Sequence, residues 1–197
     1  MDLVARVQGI LLKPKEEWVK IKDESITISQ LFTSYAVILA AIPAVAHFIG
    51  FGLIGFSRPL GWARYGIGNA FFYGILYYIL TLASVYAFGF VINLLAPSFA
   101  SKQDPVNAMK LAVYSMTPAW VAGVFYLVPL LGWLAVIASL YGIYILYLGF
   151  STPLMGTAKD KIVTYLVVSI IVYAVLWIIV AVILGGIFAA AVVYRAI

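Results

Sequence analysis

Cysteine is absent from this 197-residue chain, which excludes disulfides, thiolate metal sites and a cysteine nucleophile. Charge is scarce. Asp, Glu, Lys and Arg make up 10% of residues, against about 25% in a soluble domain. There is one histidine. What is abundant is apolar: 65% of residues are hydrophobic and the mean hydropathy is +1.12. A soluble domain holds about 45–50% apolar residues, so the excess calls for lipid as solvent. The net charge of +5 forms no aromatic-interleaved basic patch, so nucleic acid is not an expected partner. Lysine and arginine flanking membrane spans account for it.

The charge that exists is unevenly placed. Ten of the nineteen charged residues precede residue 25, most of them in LLKPKEEWVKIKDES. Leu3, Val4, Val7, Ile10 and Leu11 recur at helical spacing and predict a short amphipathic helix suited to the headgroup region. Lys13 precedes Pro14 and is driven out of the helical region, so that helix breaks there. Pro14 then opens a second helix, with Glu16 and Glu17 in its first turn and Lys20 and Lys22 at its end, the order the helix dipole favours. Pro14, Trp18 and Ile21 are the expected interfacial anchor. The plainer alternative is a solvated tail that only enforces topology. The segment has no compact apolar core before a cleavage site and is not read as a signal peptide.

Five apolar runs follow, at residues 31–56, 67–95, 106–128, 130–154 and 162–193, each near the ~20 residues a helix needs to cross the hydrocarbon. The expected fold is therefore an all-α integral membrane protein: an interfacial segment, 1–28, and a five-helix transmembrane domain, 29–197. Asp104 and Pro105 read as an N-cap followed by proline at the first helical position, and Pro129 opens the fourth span. Pro43 and Pro118 lie inside spans and predict kinks. With the N-terminus cytoplasmic, nine Lys and Arg fall on that side and three (Arg58, Arg64, Arg195) on the other. The positive-inside rule then gives N-in, C-out.

Reactive chemistry is thin. Lys110 is the one charged residue well inside a run, close enough to its start to snorkel. Without carboxylates at mid-membrane, ion-coupled transport and a Ser-His-Asp constellation are both disfavoured. His47, four residues after Pro43, either bonds a carbonyl freed by the kink or acts as a ligand or relay; alone it makes a poor metal site. GFGLIG (Gly50, Gly52, Gly55) matches a dinucleotide motif only formally, since it ends a span instead of following a strand. No enzyme, cofactor or metal is expected. The remaining polar groups are Tyr114, Ser115 and Thr117 around Pro118, and Tyr141, Tyr144 and Tyr147 every third residue along the fourth helix. They serve either as interhelical hydrogen bonding or as a pocket for a lipid or small apolar solute. Ala181, Gly185 and Ala189, with Gly186 and Ala190 one step over, give the fifth helix small-xxx-small spacing for close approach, within the bundle or to a second copy.

The stretch LLKPKEEWVKIKDESITISQLFTSYAVILAAIPAVAHFIG resembles the opening of Yip1-domain membrane proteins. AVYSMTPAWVAGVFYLVPLLGWLAVIASLYGIYILYLGF is similar to that family's third-and-fourth-span hairpin, with its Thr-Pro and Tyr-Gly. The resemblance implies five membrane helices and a cytoplasmic N-terminus. Eukaryotic members bind Rab-type GTPases and carry a longer tail with an Asp-Leu-Tyr-Gly-Pro motif. Neither stands here, so Rab binding is not carried over. The chain looks like the small prokaryotic members, which places it in the cytoplasmic (inner) membrane. The expected function is a non-enzymatic scaffold that organises lipids or a protein partner through the N-terminal segment. The alternative is a passive permease or a lipid or small-molecule binder using the hydroxyls of helices 3 and 4.

Overall fold

A computed structural model describes residues 2–58, 61–63 and 66–193. Two short helices come first, α1 (Leu3–Leu12) and α2 (Pro14–Asp23). Asp2 caps α1 by accepting from the Ala5 N–H. Lys13 leaves helical geometry at φ −138°, and Pro14 restarts the helix with the glutamate-to-lysine polarity expected of it.

Thr27 and Gln30 form a capping box that launches a continuous helical segment, Ile28–Ile54. It comprises α3 (Ile28–Leu31), a π-helical stretch (Phe32–Ala36), α4 (Val37–His47) and a second π stretch (Phe48–Ile54). Pro43 lies buried inside α4, facing Gly123 so closely that a β-carbon there would come within 2.5 Å of the proline ring. Gly55, at φ 88°, ends the segment in a conformation that glycine adopts without strain. GFGLIG is thus a helix end packed against its neighbours. A β-carbon on Gly50 would meet the Tyr126 carbonyl oxygen at 2.0 Å.

A short antiparallel hairpin, β1 (Phe56–Arg58) and β2 (Gly61–Ala63), pairs Phe56 with Ala63 and leads into α5 (Ile67–Leu95). The third apolar run is built differently from the helix the sequence predicts. It forms α6 (Pro105–Ser115), α7 (Thr117–Ala122) and a 3₁₀ turn, Gly123–Leu127. Pro118 has no N–H to donate, and Met116 bonds back to Val113 in 3₁₀ fashion, so the helix cannot run through. Then come a 3₁₀ turn at Pro129, α8 (Gly132–Ser151) and α9 (Ile162–Val193). Among the described residues, four helical segments are long and apolar enough to cross a membrane: Ile28–Ile54, Ile67–Phe99, Pro129–Ser151 and Ile162–Ile187. The broken third run is not among them.

That third run is nonetheless the bundle's centre. Every residue of α6 from Ala108 to Ser115 is buried, packed against α3, α5 and α8. The run extends from one end of the bundle to the other. At its start the α5–α6 link meets the α8–α9 link, with Lys102 N–H donating to the Met155 carbonyl at 2.8 Å and Asn107 Nδ2 to Leu154 at 3.1 Å. At its finish, residues 123–127 pack on Phe48–Ile54. Gly185 and Gly186 on α9 are exposed, with open space where a β-carbon would stand. Arg64, Arg195 and the side chains of Ala189 and Ala190 lie outside the described residues.

Candidate functional site

A cavity of about 340 Å³ lies beside the break in the third run, walled by α5, α6–α7, α8 and α9. Its size falls in the ~300–1,000 Å³ range of small-molecule pockets. The wall is overwhelmingly apolar and carries six aromatic side chains: Tyr77, Phe88, Trp120, Tyr126, Tyr173 and Trp177. Among the described residues, no charged side chain lines it. Its hydroxyls are largely engaged. Ser115 Oγ donates to the Leu111 carbonyl at 2.6 Å and Ser139 Oγ to Val136 at 2.6 Å, while Tyr173 Oη accepts from Trp177 Nε1 at 2.8 Å. Beside the cavity α8 and α6 approach closely: a β-carbon on Gly142 would lie 2.5 Å from the Ser115 carbonyl oxygen.

The exposed wall residues sit on two helices: Val136, Leu140 and Ile143 on α8, and Ala174 and Trp177 on α9. All five belong to segments long enough to cross the bilayer. The cavity therefore opens sideways, between α8 and α9.

Beyond one wall stands His47. Its ring stacks on Tyr126 at 4.2 Å and packs beside Phe51, Tyr73 and Tyr77, with centroids 5.1–5.6 Å away. Tyr77 and Tyr126 thus serve both the histidine cluster and the cavity. Among the described residues, no three His, Asp or Glu side chains come together as metal ligands.

At the opposite end of α6 the N-terminal helices are docked into the bundle. Pro14, Trp18 and Ile21, expected to face the headgroups, are buried against protein. Trp18 Nε1 donates to the Ile145 carbonyl at 2.9 Å, and the indole occupies space that a side chain at Gly149 would fill. Lys110 does not snorkel. It is 2% exposed, and its ammonium donates to the carbonyls of Ile21 (2.9 Å) and Glu24 (2.7 Å), at the negative end of the α2 dipole. Arg6 bonds Glu17 and Glu24, both at 2.7 Å, and its guanidinium lies 5.6 Å from the centre of the Tyr114 ring.

Of the seven hydroxyl and kink residues proposed around helices 3 and 4, Ser115 lines the cavity. Tyr114 is buried edge-on to Trp18 and Tyr35. Thr117 donates to the Tyr114 carbonyl at 2.7 Å, so it must accept from Tyr35, also at 2.7 Å; Pro118 is buried beside it. Tyr141 bonds the Leu11 carbonyl at 3.1 Å, tying α8 to α1. Tyr144 and Tyr147 are exposed. Sequence reasoning missed Tyr77, Tyr126, Tyr173, Trp177 and Arg6. Tyr77–Thr81 and Tyr173–Trp177 are each four residues apart on one helix face, a spacing that was there to be read.

These features define a polytopic helical membrane protein with a laterally open cavity and docked N-terminal helices. The Yip1 domain model matches residues 9–182 of the chain, which belongs to the Yip1-domain family. The chain is 32% identical over 158 residues to inner membrane protein YohC of Escherichia coli strain K12, across 74% of this chain and 77% of that protein. The same figures hold for YohC of Escherichia coli O6:H1. No solved structure matches.

Proposed function

We propose that this chain is a non-enzymatic protein of the cytoplasmic (inner) membrane that holds a membrane-borne apolar molecule in the cavity between α5, α6–α7, α8 and α9. The observation that carries this reading is the sideways mouth at Val136, Leu140, Ile143 and Trp177. A solute entering there comes from the hydrocarbon and not from water. The absence of charge from the wall fits the same occupant, because an ion at that depth would stand unpaired. The name of the YohC relatives supports the inner membrane as location.

The chain crosses five times, N-terminus cytoplasmic. The end-to-end course of the broken third run supports the count. The orientation is supported by seven exposed lysines (13, 15, 20, 22, 102, 159 and 161) gathered at the end where the N-terminal helices and two connections meet. Native mass spectrometry of protein extracted in its own lipids tests the function. A retained apolar adduct, lost when Ala174 is replaced by Phe to fill the cavity, is the expected result. An adduct-free spectrum, or one unchanged by A174F, counts against it.

A second reading, a scaffold for lipids or a protein partner, draws on the α1–α2 platform. Arg6 and Lys20 engage Glu17, Arg6 also engages Glu24, and Lys13 lies 4.0 Å from Glu16, so the platform presents paired charges with Lys15 and Lys22 exposed beside them. Alanine at Lys13, Lys15, Lys20 and Lys22 together should release a cross-linked partner without disturbing insertion.

A further inference from the structure

We infer that the occupant of the cavity is a flat, uncharged ring bearing carbonyl acceptors on an apolar tail, the chemistry of the quinones. The inference rests on the cavity reading above and narrows it.

Three features select this class. The first is charge: among the described residues no ionised side chain lines the wall, so a phosphate, carboxylate or ammonium inside would be desolvated without a partner. The second is shape and aromaticity. Six aromatic side chains converge from α5, α7, the 123–127 turn and α9, and aromatic faces and edges pair best with another ring, offset-stacked or edge-on. A purely aliphatic occupant would be served by the Leu, Ile and Val that cover the rest of the bundle. The third is hydrogen-bond polarity. Ser115 and Ser139 spend their protons on backbone carbonyls. Tyr173, by contrast, accepts from Trp177, and since a phenol has one proton of its own, that proton is left to donate. The cavity thus offers a phenolic donor to a ligand acceptor. The tail leaves between α8 and α9, past Val136, Leu140 and Ile143, into lipid. Only binding is proposed; no electron transfer is assigned.

The test uses the full chain in detergent micelles, titrated with decylubiquinone and, in parallel, with 1-decanol, which has the tail without the ring. Tryptophan emission reports the approach, since Trp120 and Trp177 form part of the wall, and equilibrium dialysis gives the affinity. The expected result is saturable decylubiquinone binding that quenches emission. Tyr173→Phe should weaken it about tenfold, the loss of one buried hydrogen bond. Ala174→Phe should abolish it while circular dichroism and gel filtration stay unchanged. Equal saturable binding of decanol and decylubiquinone, or full affinity in Y173F, overturns the quinone assignment and leaves the cavity reading standing. If neither probe saturates, or A174F binds as the native chain does, both fall.

Discussion

At the scale of single residues, the decisive contacts are polar groups buried where apolar ones would be expected. Arg6 and Glu17 have side chains only 10% and 7% exposed. Arg6→Ala leaves Glu17 with Lys20, which reaches it from the surface. The expected loss is about 3 kcal/mol, read from chemical unfolding in micelles. Lys110→Met keeps the stem and deletes the ammonium that caps two carbonyls of the α2 end. A cost of about 1–3 kcal/mol is expected, with faster amide exchange confined first to residues 14–24. Were Lys110→Met as stable as the native chain, the ammonium would be doing no more than filling space.

At the scale of elements, the break at Met116–Pro118 is what makes α6–α7 something other than a plain membrane helix. Its kink is held by a relay: Tyr35 donates to Thr117, which donates to the Tyr114 carbonyl. Pro118→Ala supplies an N–H that competes for that same carbonyl. The expected outcome is a straighter third run and a smaller cavity. It would appear as a slowly exchanging new amide at residue 118 together with weaker decylubiquinone binding. The N-terminal pair behaves as part of the bundle. Removing residues 1–24 would strip Lys110 of both acceptors and uncover the Ile145 carbonyl and Gly149. Its expected effect is a lower unfolding temperature, which point variants of the exposed lysines avoid.

At the scale of the whole molecule, the absence of cysteine makes topology directly measurable. Single cysteines at Lys22, Lys102 and Lys159 should resist an impermeant maleimide in intact cells and react after permeabilisation, while Ser57→Cys reacts in both. Labelling of Lys102→Cys from outside would refute the N-in, five-crossing arrangement. On α9, Gly185 meets nothing within the protein, so a cysteine there should form a cross-linked dimer in native membranes if the small-residue face seats a second copy. A monomer band alone would assign that face to lipid.

Composition and pattern were enough, by themselves, for the membrane, the helical class and the break between α1 and α2, while the family was read from the resemblance of two long stretches to known members. The first three follow from hydropathy, from the lack of charge and from the steric restriction that Pro14 places on Lys13, all of which act locally along the chain. Tertiary structure decided the rest. Trp18 and Ile21 lie on one face of a helix, but only the fold could turn that face toward Ile145 and Gly149 instead of toward headgroups. Lys110 had a way out of the bilayer by its own length, yet two carbonyls 86 and 89 residues away in sequence held it inside. The cavity draws one tyrosine each from α5, the 123–127 turn and α9, and no spacing along a single helix encodes that meeting. Local periodicity specifies which face of a helix is apolar; which other face it meets is a property of the packed whole.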